Sequence, residues 1–262
     1  MKKKFVGNLI IGLVLVFLFL PIVVLVVYSF NSNSTNIVFG GFSLKWYKEL
    51  FYNANLIDAF LNTILVAVVS TVISTVVGTI SAVGLYKYNF KGKELINTLL
   101  YIPIVIPEIV LGISLLSVYT LMKLELGLFT LLLAHVTFSI PYVIVSVRSS
   151  LSSAISLQEE ASYDLGIGKF KTFWYITLPN IVPGIVSGAT LAFTLSLDDV
   201  IVSYFTVGPG SNTLPQYIYS MIKTGITPDV NALSSLVLLV VVIVLTLLVI
   251  YDARKIKMEA GR

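Results

Sequence analysis

Cysteine is absent from this sequence of 262 residues, which excludes a disulfide framework and any thiolate chemistry or thiolate metal site. Histidine occurs once, as His135, so a metal centre built on several imidazoles is excluded too, and no metal site is expected. Charge is scarce: Asp, Glu, Lys and Arg make up 11% of the chain against 57% hydrophobic residues. A soluble domain of this length needs far more charge to cover its surface, so the composition points to membrane helices. The formal charge of +4 invites a nucleic-acid reading, but the basic residues lie in short gaps between apolar runs, where membrane orientation explains them.

Long apolar runs are what the chain has in abundance, and its mean hydropathy is +0.97. The opening Met1-Lys2-Lys3-Lys4 resembles the start of a secretory signal peptide. Its apolar stretch continues to about Tyr28, beyond the usual core of about 7–15 residues, and no small-x-small cleavage site follows, so it reads as a retained span. A span needs about 20 mostly apolar residues. Six stretches qualify, at about 8–30, 62–86, 95–121, 128–147, 180–206 and 232–251, which gives an all-α membrane protein with a single domain over 1–262. If the N-terminus is inside, thirteen of the 17 lysines and arginines fall in internal segments, and only Lys45, Lys48, Lys123 and Lys223 fall outside. That asymmetry places both termini in the cytoplasm.

Two spans carry small residues at every fourth position: Ser70, Ser74, Gly78 and Ala82 in one, Gly184, Gly188, Ala192 and Ser196 in the other. Such stripes let helix backbones approach closely in a bilayer, so both helices are expected in the interior. The last span, rich in Val, Leu and Ile from Leu236 to Ile250, lacks a stripe and is expected to face lipid.

The segment at about 148–179 is charged and lies on the cytoplasmic side of this topology. Ser156 and Glu159 fit an S-x-x-E capping box, Glu159 and Glu160 suit a helix N-terminus, and Gly166 suits a left-handed stop. The spacing predicts a short helix over about 157–165, too short to stand alone in water, which must dock on something. Gly166-Ile167-Gly168-Lys169 is no phosphate loop, since Phe170 follows the lysine and Tyr163 holds the place of the first glycine. No nucleotide site is therefore expected in this segment.

Carboxylates inside spans cost about 2.5–3.5 kcal/mol each near the centre, so Glu108, Asp198 and Asp199 ask for a function. On a continuous helix Asp199 aligns with Ser196, Ser203 and Thr206 and extends the small-residue stripe, as a translocation path would. Asp198 points about 100° away, toward Thr194 and Phe205. Glu108 follows Pro103 and Pro107, which loosen or kink their helix, and shares a face with Tyr101 and Gly112. Phe138 and Tyr142, on one face with His135 and Ser139, form an aromatic wall. Negative charge beside aromatic rings suits a cationic solute. Plainer readings stand beside these: Glu108 solvated near a membrane surface, Asp198 paired with a neighbouring subunit, and His135 a hydrogen-bonded interior residue.

Glu160-Ala161-Ser162, then Gly166, then Ile176-Thr177-Leu178-Pro179 after nine residues, resembles the E-A-A, G, I-x-L-P loop of binding-protein-dependent ABC-importer permeases, with Ser162 in place of an alanine. The resemblance implies a type I (MetI-like) importer bundle in a bacterial cytoplasmic (inner) membrane. Glu160, Ala161, Ser162, Gly166, Ile176, Leu178 and Pro179 would then couple the chain to an ATPase. It also implies a homologous second permease, a dimer of ATP-binding subunits that holds the ATP and Mg, and an extracytoplasmic binding protein. The chain itself would have no catalytic residue and no cofactor. Ser196 to Val200, Val207 to Gly210, Leu214-Pro215, Ile218 to Lys223 and Thr227 to Leu233 resemble the spermidine/putrescine members of the family. This implies a polyamine path with Asp199, Asp198, Glu108, Tyr142 and Phe138 along it. The rivals are a permease for another cation such as iron, an ion-gradient-driven secondary transporter, and a membrane scaffold.

Overall fold

A computed structural model describes residues 2–221 and 227–260; Met1, Ile222 and Lys223, used above, lie outside them. Among the described residues every regular element is helical, with one isolated bridge between Asn31 and Phe42. The chain divides into two compact units, residues 1–57 with 220–262, and residues 58–219.

In the first unit, α1 (Lys2–Tyr28) packs against α12 (Pro228–Ala260). α1 is apolar around its whole circumference and exposes it, with Phe17 78% exposed, as a lipid-facing helix does. α12 likewise exposes Leu239, Val240 and Ile243, in agreement with the lipid-facing expectation as far as its side chains are described. Between them α2 (Lys45–Glu49) and a 3-10 turn (Leu50–Tyr52) pack on α12. The polar stretch after α1 is ordered around buried Asn31. Its Nδ2 donates to the carbonyls of Thr35 and Val38, its Oδ1 accepts from Gly40, and its carbonyl accepts from Trp46 Nε1 at 2.6 Å. Asn53 donates to Asp229 at 2.6 Å and accepts from the Leu56 amide, an N-cap that starts the next helix, α3 (Ala54–Lys87), eight residues before the expected 62.

The second unit is centred on α6 (Leu128–Ser150) and α9 (Leu178–Asp198), its most extensive helix pair. Both small-residue stripes are buried as expected. A Cβ on Gly78 would lie 2.7 Å from Val143 Cγ1, and one on Gly184 2.7 Å from the Ser146 carbonyl, so α3 and α9 both approach α6 too closely for larger residues. Ser70 Oγ donates to Ser196 Oγ at 3.2 Å, which joins α3 to α9 directly.

Two expected spans are broken. The 95–121 run is α4 (Lys93–Val105) and α5 (Glu108–Leu121), bent by 113° at Ile106-Pro107. Proline pushes its predecessor out of the helical region, and Ile106 is extended with ψ 137. The 180–206 run is α9 and α10 (Ile201–Thr206), separated where Asp199 turns extended with ψ 125. Among the described residues, four helices are long and apolar enough to cross a membrane, and α4 with α5 makes a fifth if counted as one bent span. After the short helix α11 (Leu214–Ser220), α12 adds a shorter described apolar stretch, Pro228–Ile243.

Candidate functional site

The two breaks face one another across a cavity of about 260 Å³. Pro103 of α4, Glu108 and Leu111 of α5, Phe138 and Tyr142 of α6, Leu195 and Asp198 of α9, and Asp199 to Val202 at the α9–α10 break line it. All five residues expected on a solute path therefore share one cavity: Asp199, Asp198, Glu108, Tyr142 and Phe138. Leu111, Leu195 and Val202 were not foreseen, because apolar residues in an apolar run carry no signal of which face they present.

Glu108 occupies the first turn of α5, where unpaired backbone amides favour a negative charge. The break separates it from Tyr101, which lies on α4, so the expected shared face of Tyr101 and Glu108 does not form. Glu108 and Asp198 are both exposed, with their carboxylates open to whatever fills the cavity.

Asp199 differs from its expectation. It does not continue a helical stripe but ends one helix and caps the next. Its Oδ1 accepts from the Val202 amide at 3.2 Å, and its Oδ2 accepts from the Ser203 amide at 2.7 Å and the Ser203 hydroxyl at 2.6 Å. The residue is only 9% exposed. His135 Nε2 lies 3.6 Å from the same carboxylate oxygen and 3.0 Å from Ser203 Oγ, and Nδ1 lies 2.7 Å from Ser196 Oγ. His135 is fully buried and belongs to the interior, beside Phe138 at 5.1 Å between ring centroids. Ser70, Ser196, His135, Ser203 and Asp199 thus form one polar chain from α3 to the cavity wall. The sequence signal for it was the serine stripe, and the helix break hid its end point.

The 148–179 segment contains α7 (Ser153–Asp164) and α8 (Lys169–Thr172), followed by a π-helical turn (Phe173–Thr177) that runs into α9. The expected capping box is absent: α7 begins four residues before 157, with Ser152 at the N-cap, and Ser156 lies inside it. Glu159 faces inward instead, 7% exposed, with Oε1 2.7 Å from Lys87 Nζ and accepting from the Thr177 hydroxyl. The C-terminal stop agrees with the sequence. Gly166 has φ +79, its amide donates to Tyr163 at 2.8 Å, and the Ile167 amide donates to Ser162 at 3.0 Å, the paired bonds of a Schellman motif.

The motif residues divide by face. Glu160 and Ala161 are exposed, whereas Ser162 is buried, its hydroxyl 2.8 Å from Thr172 Oγ1, a contact that alanine could not make. Ile176 and Leu178 are half-buried, and Leu178 packs on the core of α6 and α9. Pro179 has no amide to donate and sits in the first turn of α9, where none is needed, just after the Leu178 amide closes the π-helical turn on the Phe173 carbonyl.

Residues 74–254 match the profile of the family described as binding-protein-dependent transport system inner membrane component. The chain is 40% identical to the spermidine/putrescine transport system permease protein PotC of Haemophilus influenzae, covering 91% of this chain and 93% of that one. It is 38% identical to the putrescine transport system permease protein PotI of Escherichia coli K12, covering 85% and 82%. Among solved structures, a bacterial ABC transporter involved in the import of the acidic polysaccharide alginate superposes with a TM-score of 0.75 at 15% identity, covering 95% of this chain and 96% of that one. The MetNI methionine ABC transporter in inward-facing form gives 0.58 at 20% identity, covering 72% and 90%. These two likenesses concern the fold.

Proposed function

The chain belongs to the binding-protein-dependent transport system inner membrane component family, and from that premise we propose that it is a permease subunit of an ATP-driven polyamine importer. The observation that carries the substrate class is the convergence of Glu108, Asp198 and Asp199 with the rings of Phe138 and Tyr142 on one cavity. A polyamine is a flexible chain of ammonium groups joined by methylenes. Free carboxylates at Glu108 and Asp198 would take the charged groups, and the rings would take the methylenes and add cation–π attraction. Asp199 acts here chiefly by shaping the break, since its oxygens are engaged by α10 and face His135. The names of the relatives, spermidine/putrescine and putrescine permeases, support the same substrate class. Anions would be repelled by the cavity wall.

In this reading a second, homologous permease completes the path and an extracytoplasmic binding protein delivers the solute. A pair of ATP-binding subunits, which hold ATP and Mg, docks on the exposed face of α7 at Glu160 and Ala161. Closure of that pair displaces α7, and the helices anchored to it open the path outward. Both termini lie in the cytoplasm of a bacterium in this reading, which the excess of lysine and arginine in the corresponding segments supports.

The test is to purify the chain with its co-expressed partners and add the binding protein loaded in turn with spermidine, putrescine, ferric iron or sulfate. Polyamine is expected to stimulate ATP hydrolysis, and iron and sulfate are not. Stimulation by iron or sulfate without stimulation by either polyamine would contradict the assignment.

A further inference from the structure

The inward stripe of α7 has three anchors. Ile155 joins an apolar cluster with Ala82, Leu85, Val147 and Ile181. Glu159 meets Lys87 and Thr177, and Ser162 meets Thr172. The opposite face, with Leu157, Glu160 and Ala161, is exposed. A displacement applied to that face reaches the helices packed behind α7 through these anchors, with a further bond at the rim where Asn180 donates to Gln158 at 3.3 Å.

Two of them end on α3, and there the polar contacts come from adjacent residues. Tyr86 donates its hydroxyl to the carbonyl of Ser152, the N-cap of α7, at 3.0 Å. Lys87 reaches the middle of the same helix and places Nζ 2.7 Å from Glu159 Oε1. The Thr177 hydroxyl, at the foot of α9, donates to that same oxygen. One carboxylate, with its side chain 9% exposed, therefore ties the end of α3, the middle of α7 and the start of α9 together. Farther along, α3 and α9 are joined again by Ser70 and Ser196, two residues before Asp198 at the cavity. The two helices that leave the Glu159 junction are thus the two that meet beside the candidate path.

We infer that Lys87 is a positioning residue for energy coupling, which through Glu159 locks α3 to α7 so that the two move as one lever. This rests on the importer reading above. With its cation removed, the carboxylate keeps only the Thr177 hydroxyl and is a largely buried charge without a counter-ion, which favours a shift of α7 toward water. The expected consequence of breaking the pair is that α7 still moves with the motor while α3 no longer follows. A purely structural ion pair would instead lower the yield or stability of the complex and leave its coupling unchanged.

The experiment compares wild type, Lys87→Met and the exchange Lys87→Glu/Glu159→Lys, each co-purified with the partner permease and the ATP-binding subunits. Three quantities are read: yield of complex, unstimulated ATP hydrolysis, and stimulation by spermidine-loaded binding protein. Lys87→Met is expected to assemble and to hydrolyse ATP unstimulated as wild type does, with stimulation reduced about tenfold, the size of an ordinary coupling free energy between sites. The exchange is expected to recover most of the stimulation. Wild-type stimulation in Lys87→Met overturns the inference, as does an exchanged complex that assembles but stays uncoupled. If Lys87→Met gives no complex, the exchange alone decides; if neither assembles, the pair is a folding contact and the inference is overturned. A wild-type complex that no loaded binding protein stimulates overturns the importer reading, and the inference with it, so the wild-type arm separates the two failures.

Discussion

Adjacent in the chain, Asp198 and Asp199 meet different surroundings, and the difference is testable by substitution. Asp198 is exposed to the cavity, whereas Asp199 accepts two backbone amides and a hydroxyl from the next helix. Asp198→Asn removes a charge that makes no ion pair among the described residues. It is expected to leave assembly intact and to reduce polyamine uptake about tenfold or more, given about 1.5–3 kcal/mol for a hydrogen bond to a charged group. Asp199→Ala removes a helix cap, at a cost of about 0.5–2 kcal/mol, and should lower the thermal stability of the purified complex. Asp199→Asn keeps one acceptor oxygen, enough for either the Val202 amide or the Ser203 amide but not both, and should keep part of that stability. Uptake and thermal unfolding of the three variants check the assignment, and an Asp198→Asn variant with undiminished uptake would count against it. Both aspartates were identifiable from the sequence as carboxylates within an apolar run. Their separate roles were not, because those depend on which of the two ends α9.

Helix ends are also where sequence and structure part at the next scale. Hydropathy averages over a window of many residues, so it sees 95–121 and 180–206 as continuous. The breaks at Ile106-Pro107 and Asp199-Val200 are local backbone events inside that window. Pro107 gave a sign of the first. The second had no proline, only an aspartate able to cap a new helix from within an apolar run. The start of α7 was misplaced for a related reason: Ser152, Ser153 and Ser156 all precede the motif, and Glu159 left the capping role to pair with Lys87, a long-range contact. The end of α7 was legible because Gly166 needs nothing distant. At φ +79 an alanine is strained by about 1 kcal/mol, whereas asparagine tolerates the left-handed region. Gly166→Ala is therefore expected to fray α7 and reduce binding-protein stimulation of ATP hydrolysis, with Gly166→Asn closer to wild type. Equal loss in both variants would place the role of Gly166 outside its backbone conformation.

Across the whole molecule, composition alone separated a membrane protein from a soluble one, and the two small-residue stripes marked α3 and α9 as interior helices. Both followed from chemistry that is uniform along a helix. What composition could not supply was how five candidate residues on α5, α6, α9 and the α9–α10 break come to line one cavity, since that convergence is made by the two helix breaks. The architecture proposed here joins that cavity to a separate motor through α7, α3 and α9, and makes transport depend on the motor. The most direct measurement is spermidine uptake into proteoliposomes holding this chain and its partner permease, with loaded binding protein outside, with and without the ATP-binding subunits and ATP inside. The expected result is uptake only when both the subunits and ATP are present. Uptake at the same rate without them, driven by an ion gradient or by none, would contradict the proposal.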